Sequence, residues 1–219
     1  MQAVIFDMDG VLIDSEPIFE QHLQVFLLSL GIEDPSKLTH NLKGVSSKNV
    51  SRLIIETFEL DYQVDELIAL SRKAYMQHLN NLSALPSIPG AVKLVKSLAA
   101  AGHPLALASS ASAARIDLFL KKLGLKRYFP VIACGDDVEH SKPAPDIFLL
   151  AAARLGVDPA NCVVVEDAEN GVQAAKTAGM KCIAYGGSEH NSDNLLAADI
   201  VVKDFERFVD ALRPGKLPV

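Results

Sequence analysis

Val4-Ile5-Phe6-Asp7-Met8-Asp9-Gly10-Val11-Leu12 decides how the rest of the chain is read. A short apolar run from Ala3 to Phe6 ends in two aspartates separated by one residue. A glycine follows, and the chain turns apolar again. The run reads as a buried strand. Its aspartates then stand at the C-terminal strand end, where open α/β sheets place their ligands. Ionised carboxylates are costly to bury without a partner. Alone, the stretch reads as a strand end with aspartate supplied for turn chemistry; the residues beyond it decide between that reading and catalysis.

Immediately outward, Asp14-Ser15-Glu16-Pro17 is a helix start, with Asp14 or Ser15 as cap and Pro17 in the first turn. Ile18, His22, Val25, Phe26 and Leu30 recur at helical spacing, and Gly31 is a stop signal. Asn41 to Ser46 is a loop, followed by helical stretches over Lys48 to Phe58 and Val64 to Asn80. Ser83 to Gly90, with Pro86, Pro89 and Gly90, breaks the pattern as a linker does. Beyond it, strands at 104–108, 131–133, 162–165, 181–185 and 200–202 alternate with helices at 91–101, 113–123, 145–155, 168–178 and 205–212. Such alternation implies a parallel sheet with helices on both faces. The first strand is too short to be stable alone and belongs with the later ones. The expected architecture is a Rossmann-like α/β core of residues 1–14 and 87–219. It is interrupted by an all-helical cap domain, residues 15–86, that would hang over the ligand side.

Composition narrows the function. Of 219 residues, 49% are apolar and 22% charged, as in a globular protein that buries a sizeable core. The formal net charge of −6 argues against nucleic acid as a partner, which needs a basic surface. No apolar run is long enough to span a bilayer, and no signal peptide is visible, so a cytoplasmic location without a membrane partner is expected. The three cysteines, Cys134, Cys162 and Cys182, are far apart and lack zinc-type spacing. They read as small buried hydrophobes in a reducing compartment.

Four groups fall at C-terminal strand ends: Asp7 with Asp9, Ser109 with Ser110, Ser141-Lys142-Pro143, and Glu166-Asp167. Each has an ordinary explanation by itself, as helix cap, solvated lysine or acidic turn. Together they make a site for a hard cation and a phosphate. Magnesium takes oxygen ligands and is commonly held by one or two carboxylates plus phosphate and water. Asp7 and Asp167 can supply carboxylates, and the backbone carbonyl of Asp9 a third oxygen. Ser109, the N–H groups of the following helix start and Lys142 can hold a phosphate.

Phe6-Asp7-Met8-Asp9-Gly10-Val11, then Ser109, Lys142 within Ser141-Lys142-Pro143-Ala144-Pro145, and Glu166-Asp167-Ala168-Glu169-Asn170-Gly171, in this order, resemble the haloacid dehalogenase (HAD) superfamily. The resemblance covers the whole chain, including a helical cap between the first and second motifs. Within the superfamily it is similar to the group holding β-phosphoglucomutase and small sugar-phosphate phosphatases. The resemblance implies a magnesium-dependent hydrolase. Asp7 would attack phosphorus and form an aspartyl-phosphate. Asp9 would protonate the leaving alcohol and then accept a proton from water. Ser109, Ser110 and Lys142 would bind phosphate. Asp7, Asp9 and Asp167 would hold Mg2+, with Glu166 supporting them without direct ligation.

Three other outcomes are open to this sequence. The resemblance implies that halide-releasing members need neither the second aspartate nor the acidic pair, and both are present, so a dehalogenase fits poorly. Leu42-Lys43-Gly44-Val45-Ser46 resembles the cap loop of β-phosphoglucomutase, which marks Lys43, Gly44, Val45, Ser46 and Ser47 as substrate contacts. In that enzyme an arginine gripping the substrate's second phosphate follows the loop; here it is Ser47. A cap-helix histidine of the mutase aligns with Phe19. Both departures favour water over a second sugar hydroxyl as acceptor. A non-catalytic phosphate-binding relative is the third alternative. The expected partner is a small phosphorylated metabolite, and the expected state a monomer.

Overall fold

The computed structural model describes residues 2–38, 42, 45–187, 194–212 and 217–219. In chain order the elements are β1 (Ala3–Phe6), α1 (Glu16–Ser29), α2 (Ser47–Phe58), α3 (Val64–Asn81), α4 (Ala91–Ala100), β2 (Leu105–Ser109), α5 (Ala113–Lys122), β3 (Val131–Cys134), α6 (Asp146–Leu155), β4 (Cys162–Glu166), α7 (Glu169–Thr177), β5 (Lys181–Tyr185), β6 (Ile200–Val202) and α8 (Phe205–Ala211). The strands form one parallel sheet in the order β3-β2-β1-β4-β5-β6. This is an α/β fold of the doubly wound kind. Its strand order reverses at β1, so the crevice between the carboxyl ends of β1 and β4 is the topological switch point.

The sequence explains this sheet. β1 is apolar throughout, β2 and β4 are apolar up to their last residues, Ser109 and Glu166, and all three are buried along their whole length, as strands covered on both faces must be. On one face Ile5, Ala106 and Val164 share a core with Ile147, Phe148 and Ala151 of α6 and Val172 and Ala175 of α7. On the other, Val4, Phe6, Leu107 and Val165 are equally buried, and Phe6 meets Phe129 edge to face at 5.8 Å. Cys134, Cys162 and Cys182 are buried and unpaired.

The chain divides into two compact units, residues 1–14 with 84–219 and residues 15–83. Ala84 to Pro86, expected with the helical segment, fall in the sheet-bearing unit. The Asp14 N–H donates to Pro86 O at 2.9 Å, and Ile13 bridges Ser87, so the return of the chain is stitched to its exit. The second unit is helical, with α1, α2 and α3 around a core of Phe26, Leu27, Ile32, Val50, Ile54 and Leu67.

Local departures from the expected elements have local causes. Pro35–Lys37 and Pro159–Asn161 are single 3-10 turns. Each follows an aspartate, Asp34 or Asp158, whose carboxylate accepts the N–H two residues on. The Ser15 side chain, expected as a cap, makes no capping bond to α1. Ser112 likewise leaves α5 uncapped, and Asp136 from the neighbouring loop accepts the Ala113 N–H at 3.2 Å instead.

Candidate active site

Asp7 directly follows β1, and Glu166-Asp167 end and follow β4, so the β1–β4 pairing brings the acidic strand ends together at the switch point. One carboxylate oxygen from each of Asp7, Glu166 and Asp167 lies within 4.8 Å of the others. Lys142, from the loop before α6, reaches in between them. Its Nζ donates to Asp7 Oδ1 at 2.6 Å and to Glu166 Oε1 at 2.7 Å, and sits 4.8 Å from the Phe148 ring centroid. The second Glu166 oxygen accepts the backbone N–H groups of Asp167 and Ala168, at 2.5 and 2.6 Å. Both oxygens of Glu166 are therefore engaged within the protein.

Two glycines leave room for these carboxylates. Gly10 sits at φ +75°, and a Cβ there would overlap the Asp167 carboxyl group. A Cβ at Gly171, in the first turn of α7, would overlap the Glu166 carboxylate. Each position combines a close approach with a conformation or packing that only glycine meets.

The electrostatics leave the cluster short of positive charge. Asp7 and Glu166 are 6% and 2% exposed, and they share one ammonium. Burial raises the Asp7 pKa to about 7: Lys142 opposes the rise, while Glu166 and Asp9 add to it. Burial also works against the Lys142 charge, but Asp7 and Glu166 outweigh it and hold that ammonium above the ordinary lysine value. An all-oxygen set with uncompensated negative charge fits a hard divalent cation, and the donors fit magnesium or calcium better than a thiolate-seeking metal.

Ser109 ends β2. The parallel register pairs Phe6 with Leu107, so Ser109 stands beside the Asp7 strand end, buried, with its Oγ accepting the Ala111 N–H at 3.2 Å. Ser110 is exposed, and its backbone is approached so closely by Gly135 that a Cβ at 135 would overlap its carbonyl. Asp9 is not part of the Lys142 cluster. Its Oδ2 accepts from Arg115 Nη2 at 2.6 Å, a contact with no signal in the sequence because Arg115 looks like one polar residue on an amphipathic helix. The cap-loop residues lie in the other unit. Ser46 is the N-cap of α2, its Oγ accepting the Asn49 N–H at 3.3 Å; Ser47 opens that helix, and Val45 is exposed. Lys43 and Gly44 lie outside the described residues.

A doubly wound parallel sheet with an acidic cluster and a buried lysine at its switch point places the chain among the α/β proteins that hold their ligands at the carboxyl ends of the strands. The chain belongs to the haloacid dehalogenase-like hydrolases, whose family model matches residues 4–185. It is 36% identical over 181 residues to the fructose-1-phosphate phosphatase YqaB of Escherichia coli, covering 83% of this chain and 94% of that one. It is 35% identical over 201 residues to a bifunctional riboflavin kinase/FMN phosphatase of Arabidopsis thaliana, covering 91% of this chain. The chain spans about half, 52%, of that relative's length. Among solved structures, a Thermotoga maritima protein provisionally assigned as a β-phosphoglucomutase superposes with a TM-score of 0.82 at 31% identity, over 97% of this chain and all of that one. Among the described residues, no helix is long and apolar enough to cross a membrane.

Proposed function

We propose that the protein is a phosphoric monoester hydrolase that uses Mg2+ to cleave a small phosphate ester, a sugar phosphate in the first instance, through an aspartyl-phosphate on Asp7. The observation that carries this reading is the Lys142 bridge between Asp7 and Glu166 with Asp167 alongside, at the sheet's switch point. The phosphatase name of the E. coli relative supports the same reaction class.

Asp7 is the nucleophile. A carboxylate is a weak one, so positioning and charge neutralisation must lower the barrier. Lys142 aligns Asp7 by holding Oδ1 and meets the negative charge of the incoming phosphoryl group. Ser109 and the N–H groups of the loop after β2 orient the phosphoryl oxygens. Asp7, Asp167 and the Asp9 carbonyl would hold Mg2+, which supplies neutralisation of phosphoryl charge. Glu166, with both oxygens committed, keeps Lys142 and the Asp167 backbone in place. Asp9 protonates the leaving alkoxide as the ester P–O bond breaks. It then takes a proton from the water that attacks phosphorus, releasing Asp7 and inorganic phosphate.

The resemblance in fold to a protein assigned as a mutase keeps phosphoryl transfer to a second sugar hydroxyl as the alternative. Purified protein assayed on p-nitrophenyl phosphate and a panel of sugar phosphates, with and without Mg2+, separates the readings. Mg2+-dependent phosphate release, abolished in Asp7→Asn, is expected. Conversion of β-glucose 1-phosphate to glucose 6-phosphate faster than phosphate release would assign the mutase reaction. Undiminished turnover in Asp7→Asn would overturn the mechanism.

A further inference from the structure

Asp9 and Arg115 form an ion pair across the turn that follows β1. The Asp9 backbone is fixed by a tight turn: Gly10 N–H donates to Ile13 O at 2.8 Å, and Leu12 N–H to Met8 O at 2.9 Å. Arg115 lies in the first turn of α5, next to Ile116 and ahead of Phe119 and Leu120, all three fully packed. A helix anchored in this way places a side chain more accurately than a loop does. The Arg115 guanidinium reaches Asp9 Oδ2 at 2.6 Å. The other oxygen, Asp9 Oδ1, is buried and has no hydrogen-bond partner among the described residues. The Arg115 Nε is buried and unpartnered as well.

We propose that Arg115 is the positioning residue for Asp9. By gripping Oδ2 it fixes the rotation of the carboxyl group and reserves Oδ1 for the leaving-group oxygen of the substrate. This rests on the reading of Asp9 as proton donor and acceptor given above. A buried oxygen without a partner is unfavourable in the free protein; carrying the proton, Oδ1 donates it to the accepting ester oxygen of the substrate, which removes that penalty. In the protonated carboxyl group, the oxygen facing Arg115 receives an N–H, so the proton resides on Oδ1. As the ester P–O bond breaks, its electron pair stays on the leaving oxygen, which takes that proton; Oδ1 regains one from the attacking water. The contact is a single one, Nη2 to Oδ2, and the rigid plane of the guanidinium sets its direction, which the rotating ammonium of a lysine does not.

The role separates from mere structural support by leaving-group dependence. An alkyl phosphate needs a proton on its departing oxygen, whereas p-nitrophenolate leaves without one. The measurement is kcat/KM, which reports phosphoryl transfer to Asp7, for a sugar phosphate and for p-nitrophenyl phosphate with wild type, Arg115→Ala, Arg115→Lys and Asp9→Asn. Arg115→Ala is expected to lose on the order of tenfold to a hundredfold on the alkyl ester. The loss on the aryl ester should be less than about threefold. Arg115→Lys should recover part of the alkyl loss. Equal losses on both esters, or none on either, would overturn the role of Arg115. Asp9→Asn distinguishes the two levels. If it too shows no alkyl-over-aryl loss, Asp9 is not the proton donor and both readings fall. If it shows that loss and Arg115→Ala does not, only the positioning role falls.

Discussion

Gly10 and Asp167 meet so closely that no side chain fits between them: a Cβ on Gly10 would stand inside the Asp167 carboxyl group, and the Gly10 backbone is left-handed at φ +75°. The glycine of the first strand's turn therefore sets the position of an acidic group contributed by the fourth strand. Gly10→Ala is expected to cost about 1–3 kcal/mol from backbone strain alone. It should also abolish saturable Mg2+ binding, read by titration calorimetry beside a thermal melt. Gly171→Ala makes the same point against propensity. Alanine favours a helix over glycine by about 0.5–1 kcal/mol. Here its methyl group would enter the Glu166 carboxylate, so a net loss of about 1–3 kcal/mol is expected.

Lys142 compensates two buried carboxylates at once. Lys142→Met leaves both without their partner and should destabilise the protein by about 3–5 kcal/mol, measured by urea unfolding. Activity should fall by at least about a hundredfold. Adding Glu166→Gln removes one uncompensated charge, so the double variant should regain stability over Lys142→Met while staying inactive.

Metal affinity should depend on pH through Asp7. Its pKa is raised to about 7 by burial, so in the metal-free protein the group is protonated below that value and ionised above it. A cation needs the carboxylate and must displace the proton. Apparent Mg2+ affinity is therefore flat above about pH 7 and falls about tenfold per unit below it. Calorimetry in two buffers of different ionisation enthalpy at pH 6 should show about one proton released per Mg2+ bound, and close to none at pH 8.5. Equal release at both would show that Asp7 is not the coupled group.

The helical unit carries its own pH dependence. The His22 ring stacks on Phe26 and tilts against Tyr75, at 5.7 and 4.9 Å, with His78 at 5.9 Å. Its Nε2 is buried without a hydrogen-bond partner among the described residues. Burial, with His78 adding to it, lowers the His22 pKa from 6.5 to about 4. The unfolded chain thus binds the proton more readily than the folded one. Stability is complete above about pH 6.5 and falls as the pH drops towards 4, by at most about 3 kcal/mol. His22→Phe, which keeps the ring, should flatten urea midpoints measured between pH 7 and pH 4.5.

Much of this was legible in the sequence. The apolar run ending at Asp7-Met8-Asp9 and the alternation of strands and helices correspond to the observed elements, because a parallel sheet demands apolar strands. Asp7, Lys142, Glu166 and Asp167 were readable because strand ends converge at a switch point. Contacts between side chains from distant elements left no local trace. Arg115 on Asp9, Asp136 capping α5 and the His22–His78 pair depend on tertiary packing that periodicity does not encode. Ser46 and Ser112 show the complementary failure: capping residues look alike in sequence, but only Ser46 makes the capping bond.

The position of β1 in the middle of the sheet has a kinetic corollary. β1 is made first, yet one neighbour, β2, is supplied only after the whole helical unit, and the other, β4, later still. Joining ends separated by so much chain is entropically slow, and such non-local pairings close late in folding. The seam between β1 and β4 joins strands separated by more chain than β1 and β2, and it ends where Asp7 and Asp167 converge and a cation would be held. A cation that binds only the closed seam draws the folding equilibrium towards it by mass action. Amide exchange along Ala3–Phe6 and Cys162–Glu166 would then slow on adding Mg2+, while exchange in the helical unit would not, so the ion acts as a clasp on the finished sheet.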